Sequence, residues 1–124
     1  MNFGNQLVKS SHLRRADFNT LESNGQLYEF TCSKCSKGIS FLFTSIIGKE
    51  FSWRDDFNES TVQKISKYFE MNIVGKSPDG GWTAIMQISC DNCSAPFLVY
   101  GGVHEPSNSV YKVTIQSIVE IYEK

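Results

Sequence analysis

The four cysteines of this chain come as two copies of one short pattern. Phe30-Thr31-Cys32-Ser33-Lys34-Cys35-Ser36 and Ile88-Ser89-Cys90-Asp91-Asn92-Cys93-Ser94 each read apolar, hydroxyl, Cys, two polar residues, Cys, Ser. Two thiolates separated by two residues can turn inward around a tight turn and hold one cation from one side. A second such turn supplies the other two corners of a tetrahedron, with metal–sulfur distances of about 2.3 Å. Four soft sulfurs favour zinc, with iron as the alternative, over calcium or magnesium. The expectation is one structural Zn ligated by Cys32, Cys35, Cys90 and Cys93.

Apolar runs follow both pairs, Ile39 to Phe43 and Phe97 to Tyr100, so each turn is expected to cap a β-hairpin. In this the chain resembles the zinc-ribbon class, at these two stretches only. Ribbon knuckles usually carry Gly after the second cysteine, where the backbone often needs positive φ; Ser36 and Ser94 hold that place here. The pairs are separated by residues 36–89, 54 in all, against roughly 15–20 in a compact ribbon. The metal is therefore expected to staple a larger domain. Whether residues 36–89 are scaffold or the functional part stays open at this point.

Two other fates are open to the thiols. Disulfides need an oxidising compartment, and residues 1–6 lack the apolar core of a signal peptide. A thiol redox site places Cys-x-x-Cys at a helix N-terminus, which lowers the thiol pKa. Both pairs here lead into β-like runs instead.

A chain of 124 residues is expected to form a single domain, 1–124, able to bury a core of its own. No apolar run approaches the ~20 residues that span a bilayer, and the expected location is the cytoplasm. Formal charge is −1, and near −3 once a divalent cation with four thiolates, itself −2, is included. That balance gives no general attraction to phosphate backbones or anionic membranes.

The expected fold class is α+β: mainly antiparallel β-sheet carrying the four-cysteine knuckles, with one amphipathic helix at about 60–71 packed on it. Residues 1–17, including Lys9, His12, Arg14 and Arg15, read as a peripheral segment laid over the body. Asn24-Gly25 predicts a type I′ turn and a hairpin over 18–31. Within 44–58, Phe51 and Trp53 suggest one face of a short strand. Ser60 with Gln63 has capping-box spacing, and Val62, Ile65 and Phe69 repeat at helical intervals. Residues 77–81 read as a turn. Trp82, Ala84, Met86 and Ile88 share one face of a strand, and 95–100 reads as central and covered on both faces. Residues 101–109 read as a loop holding His104 and Glu105. Tyr111, Val113, Ile115, Val119 and Ile121 share one parity in a last strand long enough to need a bulge near Ser117.

Four cysteines would close a metal's shell, whereas catalytic zinc keeps a position open for water. No phosphate-cradling loop, nucleophilic triad or third partner for His12 and His104 shows in the spacing. The sequence reads as a non-enzymatic, zinc-stabilised binding protein acting through a protein partner, of the size of toxin-neutralising immunity proteins or adaptors. Trp53, Arg54, Lys34 and Lys37 are its candidate contact residues, Trp53 only if exposed rather than core. A nucleic-acid-binding ribbon is the alternative, using Lys34 and Lys37 on phosphates and Phe41 and Phe43 on bases. A thiol redox enzyme is the third reading.

Overall fold

The computed structural model describes residues 1–8, 14–19, 27–71, 81–107 and 110–122. Its strands are β1 (Asn2–Val8), β2 (Arg14–Asn19), β3 (Leu27–Thr31), β4 (Gly38–Leu42), β5 (Trp82–Ser89), β6 (Pro96–Ser107) and β7 (Val110–Tyr122). Between β4 and β5 lie 3-10 turns at Phe43–Ile46 and Trp53–Asp56, the short helix α1 (Lys49–Ser52), and α2 (Glu59–Tyr68). The architecture is α+β and mainly antiparallel.

The β-branched and aromatic residues from 82 onward build a meander, β5-β6-β7, in one antiparallel sheet. The far edge of β7 is shared: β1 pairs with residues 118–122 and β2 with residues 110–115. β3 and β4 form a separate two-stranded sheet. Among the described residues of the hairpin expected over 18–31, Phe18 and Asn19 pair with β7 and Leu27–Thr31 with β4, so these two stretches belong to different sheets. The Asn24-Gly25 turn lies outside the described residues, as do Lys9, His12 and most of the 77–81 turn. The N-terminal segment, expected to lie over the body, instead supplies the edge of the sheet. Its alternation is weak in sequence because β1 is irregular, with register shifts on either side of Gln6.

β7 carries the bulge its length requires. Tyr100 pairs with Ser117 and Gly101 with Ile115, so Gln116 has no partner in the ladder. One extra residue inverts the alternation of everything after it. Val113, Ile115 and Ile118 accordingly pack in the core on one face, and Val119 and Ile121 in the core on the other. The single face expected for Val113, Ile115, Val119 and Ile121 is corrected to two. Opposite the bulge, a Cβ on Gly101 would stand 2.9 Å from Ile46 Cδ1 and 3.1 Å from the Thr114 carbonyl oxygen. Only glycine lets the connecting segment approach this closely.

Both faces of the sheet are covered. The β3–β4 hairpin lays Tyr28, Ile39 and Phe41 on one face, against Phe97, Val99 and Ile118. On the other, Val62 and Ile65 of α2 meet Ile85, Leu98 and Val119, with Trp53 among them. At about 1.5–3 kcal/mol for each large apolar side chain buried, these layers fix how the knuckles approach. β6, buried from Phe97 to Val103, is central and doubly covered, as its unbroken apolar run predicts.

Local details differ from the sequence reading. Asn58, not Ser60, caps α2: its side chain accepts from the Thr61 amide at 2.9 Å, while Ser60 Oγ donates to it. Asn is as strong a cap as Ser, so the helix starts one residue early. It ends through Glu70 at φ 53, with the Met71 amide donating to the Ser66 carbonyl at 2.9 Å. Residues 43–56 are helical turns rather than a strand. This leaves Phe51 85% exposed and Trp53 1% exposed, on opposite sides of one short helical run. Residues 101–107 continue β6 instead of looping, so His104 sits in a strand paired with Lys112.

Candidate metal centre

Each knuckle is a turn carried by a hairpin, the first by β3–β4 and the second by β5–β6. The two repeat one backbone pattern. The Cys32 amide donates to the Lys37 carbonyl at 2.8 Å, and the Cys90 amide to that of Ala95 at 2.9 Å. The Ser36 and Ser94 amides donate back to the Cys32 and Cys90 carbonyls, at 3.0 and 2.8 Å. These bonds force positive φ on the residue after each second cysteine, 67° at Ser36 and 66° at Ser94. The departure from Gly noted in the sequence is thus one of residue, not of conformation.

The packing of the hairpin on the sheet brings the two knuckles together across the long gap. Phe30, two residues before Cys32, meets Phe97 edge-on at 5.4 Å between ring centroids. All four Sγ atoms lie within 4.8 Å of one another. Cys32 and Cys93 Sγ are 3.6 Å apart, as are those of Cys35 and Cys90. A tetrahedron with metal–sulfur bonds of about 2.3 Å has edges of about 3.8 Å, close to both spacings. A disulfide needs about 2.05 Å, and all four cysteines are free. The set can hold one metal ion, and its donor chemistry fits a soft or borderline cation.

The four corners differ in surroundings. Cys32 and Cys90 are buried, Cys35 is half-buried and Cys93 is exposed. Their protonation differs too. Cys35 is lowered to about 6, first by the Asn92 side chain and then by the Lys37 backbone. At Cys93 the Ala95 backbone pulls downward, but burial and bonds to the other thiols outweigh it and raise the group to about 12. Cys35 is therefore more readily deprotonated than Cys93, whose proton a binding cation must displace.

A residue not singled out in the sequence holds the first knuckle in place. Glu120 of β7 is 5% exposed, and its carboxylate accepts from the Ser33 hydroxyl between the two cysteines. It also accepts from the Asn5 amide and the Tyr122 hydroxyl, each at 2.9 Å. These donors hold Glu120 below the usual carboxylate range, Ser33 first, then Asn5, against the opposing effect of burial. Gly4 makes the room: a Cβ there would fall 2.5 Å from Glu120 Oε1. The irregular register of β1 between Phe3 and Gln6 turns the Asn5 amide to the carboxylate instead of the ladder.

The candidate contact residues are scattered. Lys34 and Lys37 are exposed on the first knuckle, and the Lys34 ammonium stands 4.5 Å from the centre of the Tyr122 ring. Trp53 is core, on the far side of the sheet from the knuckles' hairpin, with the exposed Arg54 guanidinium 4.8 Å from its ring centre. Of the two readings open for Trp53, the structure takes the core one. His104 lies half-buried in β6, away from the thiols. A cavity of about 270 Å³ adjoins the metal site, lined by Lys34, Cys93, Phe97, Glu120 and Tyr122 among others.

No helix among the described residues is long and apolar enough to cross a membrane. Comparison with family models, curated proteins and solved structures finds no match to this chain.

Proposed function

We propose that this chain is a non-enzymatic, zinc-stapled binding protein that acts through contact with a protein partner, as immunity-type and adaptor proteins do. The observation that carries the reading is the convergence of four thiol sulfurs at tetrahedral spacing. Four thiolates around Zn²⁺ leave no coordination position for water or substrate. A centre of that kind joins the β3–β4 hairpin to the sheet, and its role is structural. Function then falls to the protein's surface.

Nucleic-acid binding through the first knuckle has less support. Lys34 is engaged with the Tyr122 ring and stands by the Glu120 carboxylate. Phe41, offered as a stacking ring, is buried. Asp91 adds an exposed acid to the second knuckle.

Native mass spectrometry of the protein as purified, set against its denatured mass, tests the reading. One zinc per chain, together with a co-purifying protein, is the expected result. A metal-free native mass, with the denatured mass short by the hydrogens of two disulfides, would sink it. One iron per chain would keep the staple and replace the metal.

A further inference from the structure

A second concave surface lies on the side of the sheet opposite the knuckle hairpin. It is a groove of about 430 Å³ between the start of β1 and one flank of α2, lined by Met1, Asn2, Phe3, Lys64, Lys67 and Tyr68. Its floor is aromatic: the Phe3 and Tyr68 rings stack at 4.2 Å with 16° between their planes. Both rings are half-buried, so each keeps surface open to the groove. Its wall is cationic. Lys64 and Lys67 are exposed, and neither makes an ion pair among the described residues.

We propose that this groove binds an extended acidic segment of a protein partner, with two carboxylates on Lys64 and Lys67 and an apolar residue on the Phe3–Tyr68 floor. The charges are placed for this by the helix. Residues three apart on a helix have Cβ atoms about 5–6 Å apart. Side chains two apart on one side of an extended peptide are separated by about 6.6 Å. An acid-x-acid pair therefore matches the two ammonium groups without bending either chain. Asp55, Asp56 and Glu59 stand at or before the N-terminal end of α2 and Glu70 just past its C-terminal end, and none of them lines the groove.

Ring access and the small size of the cationic wall favour a peptide over a nucleic acid. Tyr68 already stacks on Phe3 and meets Phe69 at 4.9 Å in a T-shaped contact. Little of that ring is left for a base, while an aliphatic or aromatic side chain needs only the floor's edge. Two lysines also suit two carboxylates better than a phosphate backbone, which is bound by longer cationic tracks. The inference rests on the protein-binding reading and gives it a face and a partner chemistry.

A fluorescein-labelled peptide alternating glutamate with leucine and phenylalanine, titrated into the metal-loaded full chain, is the test. Saturable binding is expected, with amide shifts concentrated at Phe3, Lys64, Lys67 and Tyr68 in ¹⁵N spectra. Lys64→Glu with Lys67→Glu should weaken it about tenfold or more, leave thermal unfolding unchanged, and bind the lysine version of the peptide instead. Equal binding by that variant, shifts elsewhere, or no saturation would overturn the proposal. So would displacement of the peptide by a single-stranded oligonucleotide. A metal-loaded chain whose natural partner contacts another face would overturn the groove alone, whereas a metal-free, disulfide-bonded chain would overturn the broader reading.

Discussion

The Ser33 hydroxyl, in the turn between two metal-site cysteines, donates to the carboxylate of Glu120, 87 residues further along the chain. Through that bond the metal knuckle is tied to the long strand β7, and through Asn5 and Tyr122 to its edge. The same carboxylate is nearly inaccessible to water. Its hydrogen bonds therefore act where competition from solvent is weak.

Replacing this carboxylate by its amide should destabilise the fold and make it less sensitive to acid. Glu120→Gln keeps the shape but loses charge-assisted bonds, at a cost of about 1–3 kcal/mol. Because the folded group titrates below the ordinary range, its contribution is present above the unfolded value of about 4.3. It is lost as pH falls through the lowered folded value. The difference in unfolding free energy between wild type and Glu120→Gln should be constant near neutrality and shrink below about pH 4.3. Acid releases metal from both proteins, so the difference isolates the carboxylate. A difference that ignores acid would mean the group is not ionised in the fold.

The four-cysteine cluster was legible in the sequence because its geometry is local: Cys-x-x-Cys defines its own turn, and two turns can close a tetrahedron. The helix α2, whose Val62 and Ile65 face the sheet, was legible from its own periodicity, whereas Ser36 and Ser94 read as departures from the glycine of a knuckle although both take its positive φ. Glu120 was not legible, since its donors Ser33 and Asn5 are distant in the chain and no local pattern marks a carboxylate for burial. The alternation in β7 misled because one bulge residue, Gln116, changes which face Val119 and Ile121 take. Phe51 and Trp53 misled because a two-residue spacing reads as strand, while short helical turns send the two rings to opposite sides.

Conformation, rather than side-chain contacts, should govern the residues after the second cysteines. Ser36→Val places a β-branched side chain at φ 67°, where such residues are outliers. It should cost about 1–3 kcal/mol, read as a lower unfolding temperature and weaker metal retention against a chelator. Ser36→Gly should retain metal at least as well as wild type, because glycine takes that conformation freely. Equal stability of the valine and glycine variants would mean that the knuckle backbone is not held as described.

Deleting Gln116 tests the bulge. Removing it makes Ile115, opposite Gly101, and Ser117, opposite Tyr100, neighbours in a simple ladder, and residues 117–122 keep the β6 partners they have now. Ile118 then stays on the hairpin face, Val119 and Ile121 on the helix face, and Glu120 at Ser33. Gln116→Ala keeps the bulge and should fold. The deletion should also unfold cooperatively in thermal circular dichroism and keep the Glu120 contact with Ser33. A deletion variant that fails to fold while Gln116→Ala folds would show that the faces of β7 are not set by its pairing with β6.

If the four thiols hold the proposed metal, its removal should separate the two layers that they join. Cys32→Ser removes a buried ligand, and because metal binding is coupled to folding it should cost several kcal/mol. Cys93→Ser removes the exposed corner; it should abolish tight metal retention too, since a three-thiolate site must recruit water as its fourth ligand. The two layers should not respond alike. The β5–β6–β7 sheet keeps its apolar contacts with α2 and Trp53, whereas the β3–β4 hairpin relies on one face and the knuckle. Hydrogen exchange after chelation should therefore accelerate first in residues 27–42 and least in β6. Uniform loss of protection would make the metal a condition for the whole fold. Unchanged exchange, with unchanged stability of Cys32→Ser, would mean that these thiols hold no structural metal.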